Sequence, residues 1–415
     1  MSKYFPIKTE TACQLKWNWS TLYLYSGTTA SCHRTAYSAI SAESFDNFHN
    51  TEKKQQHRLS MLKGQWPQDG CGYCKDLEDA GEFSDRLLHL TIPDQSPVEL
   101  DTDPAALVVD PTILEVYFNN TCNLSCLYCS PTLSSKINSE NKKFGKFESN
   151  GIKISAVDKN ADHAIMIDKF WQWMQQHSTK LKRLNILGGE PLYQTEFYHC
   201  LDYLENSKHP DLVLNIVTNL MISNDKLTEL IERFKLLLAK RKIKRLDITC
   251  SIDCWGKEQE FVRHGLDLAL WERNFELLLK QKWITLNINQ TITMLTIKTM
   301  PALLEKLSSW RTQHKIGHYF SVATPEPAYL VPAVLGSGVF DNDFEKIIQL
   351  MPSDTEQDLS ARQYMTVIAE QVKQSQIDCV ELKKCVTYLD EMDRRRNTNW
   401  RTLFPWLTEF EQYVV

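Results

Sequence analysis

Residues 245–253 read "RLDITCSID". Successive side chains of a strand point to opposite faces, so Leu246, Ile248, Cys250 and Ile252 share one face while Asp247, Thr249, Ser251 and Asp253 share the other. A parallel sheet covered by helices on both sides reads as nearly continuous apolar runs, and this stretch does not. The same alternation recurs in "TLNINQTIT", which groups Asn287, Asn289, Thr291 and Thr293, in "ILEVYFNN" (Glu115, Tyr117, Asn119) and in "LVLNIVTN" (Asn215, Val217, Asn219). Unpartnered polar groups are costly to bury. A recurrent polar face therefore means the wall of a hydrated or ligand-filled cavity in a curved sheet, or the wet side of a half-exposed one. The pattern favours a curved α/β sheet, a partial (β/α)6 barrel with a polar lumen.

Working outward, β-type runs alternate with amphipathic helical stretches from "ILEVYF" to "HYFSVAT", six βα units that imply a parallel sheet over residues 112–325. Residues 91–111 carry four prolines and five acidic side chains with little periodicity, which reads as a linker. Residues 1–90 are rich in cysteine and aromatics and form a separate small domain in this reading. Residues 326–415 read as a loop followed by helices at "FDNDFEKIIQLM", "SARQYMTVIAEQVKQS" and "CVELKKCVTYLDEMDRRR", a C-terminal extension packing on the barrel or covering its mouth. The polar stretch from Ser134 to Asn160 shows no pattern and suggests a mobile lid.

The formal charge of -5, from 47 basic and 52 acidic side chains without long blocks, calls for neither a nucleic acid nor a membrane as partner. No apolar run reaches the length of a membrane span and the first residues lack the pattern of a secretory signal, so a cytoplasmic location is expected. In a reducing compartment, twelve cysteines point to metal ligands, redox groups or buried fillers rather than disulfides. Cys200, Cys250, Cys379 and Cys385 read as buried small hydrophobes.

Three others are different. "VYFNNTCNLSCLYCSP", residues 116–131, places Cys122, Cys126 and Cys129 on the loop leaving the first strand of the series, at the strand end where α/β sheets keep their reactive groups. A closed zinc site normally takes four ligands. Three thiolates suggest a missing distant ligand, or an iron-sulfur cluster with one iron left open.

"CNLSCLYC" resembles the C-x3-C-x-aromatic-C signature of the radical S-adenosylmethionine (radical SAM) superfamily. The resemblance implies a [4Fe-4S] cluster on Cys122, Cys126 and Cys129 whose fourth iron chelates the amino and carboxylate groups of S-adenosylmethionine. The next strand ends in Gly188, Gly189, Glu190 and Pro191, similar to the family's GGEP motif, which by that resemblance meets the methionyl amino group. "IVTNLM" resembles a third-strand TNG pattern with Leu220 in place of glycine, and "SIDCWGKEQEFVRHG" a fourth-strand pattern with Cys254 in place of glycine. Carried over position by position, Ser251 and Asp253 lie near the ribose, Arg263 near the carboxylate and Tyr128 along the adenine side.

A second cluster precedes the barrel. "TLYLY" and "TASCH" flank Ser26 and Gly27 as a hairpin would, with Cys13 and Cys32 to either side. Cys71 and Cys74 form a C-x2-C at the start of a helix. Two thiol pairs fit a zinc ribbon or a four-cysteine iron-sulfur cluster. The C-x13-G-x4-C spacing resembles the twitch half of the SPASM/twitch auxiliary-cluster domain, here placed before the barrel, and implies a second [4Fe-4S] cluster.

The resemblance implies reductive cleavage of S-adenosylmethionine to a 5'-deoxyadenosyl radical that abstracts hydrogen from a substrate, with a flavodoxin- or ferredoxin-type electron donor. An auxiliary cluster favours a net oxidation, with a slight lean to a peptide or protein substrate over a small molecule such as an amino sugar. Trp17, Trp19, Tyr23, Tyr25 and Trp66 could dock a peptide or form the core of the first domain. A two-cluster electron carrier or a zinc-stabilised binding module are the competing classes, and neither needs GGEP.

Overall fold

A computed structural model of the chain describes residues 9–32, 35–79, 81, 84, 86–87, 107–322 and 327–414. Most of the 91–111 linker lies outside the described residues. The elements are β1 (Trp19–Tyr23), β2 (Thr28–Ala30), β3 (Ser38–Ala39), α1 (Glu52–Leu62), α2 (Gly72–Asp79) and β4 (Ile113–Tyr117). There follow α3 (Ser135–Phe144), β5 (Phe147–Ser149), β6 (Ile152–Ile154), α4 (His163–His177), β7 (Arg183–Leu187), α5 (Thr195–Asn206), β8 (His209–Thr218), α6 (Asn224–Ala239) and β9 (Ile243–Ser251). The rest comprises α7 (Lys257–Val262), α8 (Leu268–Leu279), β10 (Thr285–Ile292), α9 (Met300–Arg311), β11 (Ile316–Val322), α10 (Asp341–Leu350), α11 (Glu356–Gln374) and α12 (Cys379–Arg396). The fold is mixed α/β with a largely parallel sheet, and no helix among the described residues is long and apolar enough to cross a membrane.

Two compact units emerge. The first holds residues up to Asn120 with Asp158–Ile216 and Arg233–Leu246. Its strand order runs β3-β2-β1-β4-β7-β8 and on to the start of β9. The β1–β2 hairpin turns at Gly27, whose φ of +69° suits glycine. β1 then pairs in parallel with β4, so the hairpin of the N-terminal segment extends the parallel sheet instead of standing apart. Across β1, β4, β7 and β8 the register aligns Thr21, Glu115, Asn185 and Asn215 in one row. All four are buried, and they hydrogen-bond along the row: Thr21 Oγ1 donates to Glu115 Oε1 at 3.1 Å and Asn215 Nδ2 to Asn185 Oδ1 at 3.2 Å.

The second unit holds Thr121–Val157, Val217–Glu232 and Asp247–Val415. In it the later part of β9 runs parallel to β10, and β10 to β11. Thr249 and Asn287 continue the polar pattern as register partners, and Gly317 on β11 is small because a Cβ there would fall 2.3 Å from Asn287 Oδ1. In both units part of the polar face expected from the alternation is buried, and some of its groups hydrogen-bond one another, Asn287 Nδ2 donating to Thr249 Oγ1 at 3.5 Å in the second.

The stretch from Ser134 to Asn160, expected to be structureless, contains α3 and the β5–β6 hairpin. Ser134 caps α3 by accepting from Ile137 N. The helix was hidden because it buries amides beside its one buried apolar residue, Ile137: Asn138 donates to Val157 O and Asn141 to Ser155 O. The three C-terminal helices form where their periodicity placed them. Asp378 caps α12 by accepting from Val380 N and Glu381 N, and Arg394, Arg395 and Arg396 sit in its last turn, where cations suit the helix dipole. Cys379, read as buried, is exposed at the start of that helix, where its side chain leaves the packed face.

Candidate functional site

The cysteine loop belongs to the second unit, and its backbone is tied down at nearly every step. Ser125 N donates to His264 O at 2.9 Å and Leu127 N to Val262 O at 2.8 Å, so the loop runs along the end of α7. Gly265, at φ +99°, allows this approach, since a Cβ would meet Leu124 Cδ2 at 3.3 Å. Ser134 Oγ donates to Leu124 O at 2.7 Å, and Cys122 N donates to Ser135 Oγ at 3.1 Å. Asn123 Nδ2 donates to Met221 O, and Asn219 Nδ2 donates to Asn123 Oδ1, each at 2.9 Å. From α12, the Tyr388 hydroxyl donates to Leu127 O at 2.6 Å.

Cys126 is buried; Cys122 and Cys129 are half-buried. Burial first, then the Cys126 and Cys122 sulfurs, push the Cys129 thiol up, so the three lie in one another's field. Among the described residues no group of three or more His, Cys, Asp or Glu side chains is arranged around a single metal ion. A cluster seats each thiolate on its own iron, and three soft donors on one anchored loop fit that demand.

Beside the loop lies a closed network. Asp253 is fully buried, and Arg263 grips it with Nε and Nη2, each at 2.8 Å from a carboxylate oxygen. The Tyr128 hydroxyl donates to Asp253 Oδ2 at 2.6 Å and Thr291 N to Oδ1 at 2.8 Å. Burial opposes the Arg263 charge, but Asp253 more than offsets it and holds the guanidinium above its ordinary range. Arg263 Nη1 has no partner among the described residues. Gln259 Oε1 accepts from Asp253 N and Cys254 N, and Gln290 Nε2 donates to Asp253 O. Ser251 is buried at the end of β9, opposite Asn289. Tyr128, Asp253 and Arg263 are thus brought together, each holding another.

Leu220 stands where glycine was expected and takes the glycine conformation, φ +60°, fully buried. Asn274 Nδ2 secures it by donating to Leu220 O at 2.9 Å. A residue other than glycine thus holds a left-handed turn at this position.

In the first unit, Gly188 and Gly189 have φ of +82° and +56°. A Cβ on Gly188 would lie 2.3 Å from Tyr117 Cδ1, so only glycine fits. Glu190 is buried and heads the Pro191–Tyr193 turn, its Oε1 accepting from Leu192 N at 3.2 Å. Sequence reasoning missed Gln194, whose Nε2 donates to Gly188 O and to Asn119 O. Its only signal is its place four residues after the motif glutamate.

Also in the first unit, Cys13 and Cys71 are buried in one apolar cluster with Leu15, Trp17 and Met61, against which Cys32, Trp19 and Trp66 pack. Trp17 is fully buried, as a core residue would be. Burial and then Cys32 push the Cys13 thiol up to about 12. Cys74 is half-buried on α2.

No family profile matches the chain, and no curated protein matches it. Among solved structures it is similar to anSMEcpe with bound AdoMet and Kp18Cys peptide, at 17% identity and TM-score 0.35, over 64% of this chain and 62% of that one. It thus spans less than two thirds of the length of that protein. It is also similar to Streptococcus suis SuiB, solved bound to precursor peptide SuiA (13% identity, TM-score 0.33) and to S-adenosylmethionine (12%, 0.34). The match to the peptide complex covers 91% of this chain and 68% of SuiB. At these scores the likeness carries no weight by itself, and the site is read from its own residues.

Proposed function

We propose that this chain is a radical SAM enzyme acting on a peptide or protein, with an oxidative outcome, on a partial (β/α)6 barrel carrying a twitch-like auxiliary domain. The observation behind this reading is the cysteine loop. Several of its amides and carbonyls are hydrogen-bonded to the scaffold, and its three thiols lie on a loop beside a buried Tyr128–Asp253–Arg263 network. Cys122, Cys126 and Cys129 hold a [4Fe-4S] cluster, which when bound supplies the electron that cleaves S-adenosylmethionine. Arg263 keeps one guanidinium nitrogen for the cofactor carboxylate, Ser251 serves the ribose, Tyr128 lines the adenine side, and Asp253, whose carboxylate already accepts four hydrogen bonds, acts near the ribose by holding Arg263 and Tyr128. Gly188, Gly189 and Glu190 serve the methionyl ammonium: the glycines for close backbone approach, the carboxylate as acceptor. Cys13, Cys32, Cys71 and Cys74 hold a second cluster that takes up electrons from the oxidation. The reductant is of flavodoxin or ferredoxin type, and the setting cytoplasmic.

The test is anaerobic reconstitution with iron and sulfide, reduction with dithionite, addition of S-adenosylmethionine, and assay of 5'-deoxyadenosine together with iron per chain. Deoxyadenosine with about eight irons, the load of two four-iron clusters, is the expected result. A fully loaded protein that forms none, with or without a panel of peptides, or a colourless zinc protein, overturns the reading.

A further inference from the structure

The polar face of β9, β10 and β11 changes character along its length. In the row Thr249, Asn287 and Gly317, Asn287 donates to Thr249 and its Oδ1 fills the space where a Gly317 side chain would stand. The next row towards the strand ends is Ser251, Asn289 and Tyr319, and the one after it pairs Thr291 with Ser321. Among the described residues, the side chains of Ser251, Asn289, Thr291 and Ser321 have no hydrogen-bond partner. Ser251 is 8% exposed, and the other three are half-buried. Tyr319 leans its ring back along β11, with Cε2 3.4 Å from where a Cβ of Gly317 would lie.

These groups stand at the carboxyl ends of parallel strands, where α/β sheets place their ligands. They also adjoin the buried network: Thr291 N donates to Asp253 Oδ1 at 2.8 Å, and Ile252 N to Asn289 O at 3.1 Å. Their chemistry is narrow. The patch offers hydroxyls, one carboxamide and an aromatic ring, and none of its side chains is charged. The ionised pair beside it, Asp253 and Arg263, is joined at 2.8 Å. A carboxylate or ammonium pressed against such a surface would lose water and gain no counter-ion. A carboxamide carries both a donor and an acceptor, so it answers another amide in both directions, and hydroxyls serve in either role.

We infer that Asn289, Thr291, Ser321 and the Tyr319 ring form the substrate subsite, and that it takes an uncharged stretch of peptide through its amides. This rests on the radical SAM reading proposed above, in which Ser251 serves the ribose. It adds that the bound stretch carries no charged side chain at this place, and that an amino sugar, cationic at its amine, is a poor occupant.

The test uses the full chain, reconstituted with iron and sulfide and given S-adenosylmethionine without a reductant, so that ligands bind and do not react. The probe is a random-sequence library of N-acetylated hexapeptide amides built only from uncharged residues. Matched libraries fix one position as Lys or as Asp, and glucosamine stands for the amino sugars. Equilibrium dialysis read by mass spectrometry should show members of the uncharged library retained in preference to all three. Asn289→Leu and Ser321→Val should each weaken that retention about tenfold, the loss of one hydrogen bond of ordinary net strength. Asn289→Asp places a carboxylate in the patch and should move the preference to the Lys library, an exchange that damage to the fold would not produce. Equal retention of charged and uncharged probes by the unaltered chain, or unaltered preferences in all three variants, overturns the subsite. Dithionite added to the same samples separates the two readings. Deoxyadenosine from a protein without preference for the uncharged library overturns the subsite alone, whereas a fully loaded protein that forms none overturns the radical SAM reading and the subsite with it.

Discussion

Replacing Asp253 with Asn removes one negative charge and keeps the shape. The carboxylate is fully buried and accepts four hydrogen bonds, two from Arg263, one from Tyr128 and one from Thr291 N. An asparagine has one acceptor oxygen and would turn an N–H donor towards other donors. It would also leave the Arg263 guanidinium, its side chain 8% exposed, without an anion. Breaking a buried pair from one side costs about 3–5 kcal/mol, a hundredfold to several-thousandfold loss in the folding equilibrium at about 1.4 kcal/mol per tenfold. Arg263→Met should cost a similar amount, and the double variant clearly less than the sum, because it leaves neither charge stranded. Urea unfolding of the metal-free chain, followed by tryptophan fluorescence and circular dichroism, reads all three. If Asp253→Asn cost less than about 1 kcal/mol, as an exposed pair would, the network would be solvated and its role as a rigid wall beside the cysteine loop would be lost.

Four further outcomes follow from the same geometry. Cys126→Ala should abolish deoxyadenosine formation while the chain still folds, and normal activity in that variant would remove the cluster assignment. Gly188→Ala meets the Tyr117 ring at 2.3 Å and a φ of +82°, so its unfolding midpoint should fall by the equivalent of at least about 1–2 kcal/mol from the backbone conformation alone; a neutral change would mean the turn relaxes freely. Tyr388→Phe strands Leu127 O at a cost of about 1–3 kcal/mol and should slow iron uptake by the loop, with iron release to a chelator as the check. His318 is buried and donates to Gln290 Oε1; burial, then Arg311, lowers its pKa from 6.5 to about 4. Its neutral form is favoured by folding, so the stability it contributes is full above pH 6.5 and is lost as the pH falls towards 4, by up to about 3 kcal/mol. His318→Gln should flatten the acid limb of the stability profile, and equal slopes for both proteins would refute this.

What the sequence disclosed was local. The spacing of Cys122, Cys126 and Cys129 and the run Gly188–Pro191 depend on neighbours a few residues away, and the alternation of Asp247, Thr249 and Ser251 marks one face of a strand whatever surrounds it. What escaped was set by distant partners. Tyr388 reaches Leu127 across 261 residues, with only helical periodicity around it. Leu220 hides a glycine-like turn behind an ordinary apolar side chain, because Asn274 and Thr218 fix its backbone from outside. Lys16 and Lys54 look like surface lysines until the fold buries them, since charge type alone does not record what will pack around it. The 134–160 segment misled for a related reason: its buried positions are asparagines, and an apolar-pattern search passes over amides that bond to backbone.

The tie between Tyr388 and Leu127 also has a meaning in time. During synthesis the cysteine loop is made early, and its neighbours at Ser134 and Ser135 follow within a few seconds at typical elongation rates. Its α12 anchor does not exist until some 260 further residues have been added and that helix has docked. Iron delivered to the nascent chain would meet thiols on a loop still lacking one restraint and open to oxidation. The full set of restraints on the loop is therefore complete only once the C-terminal helix has docked.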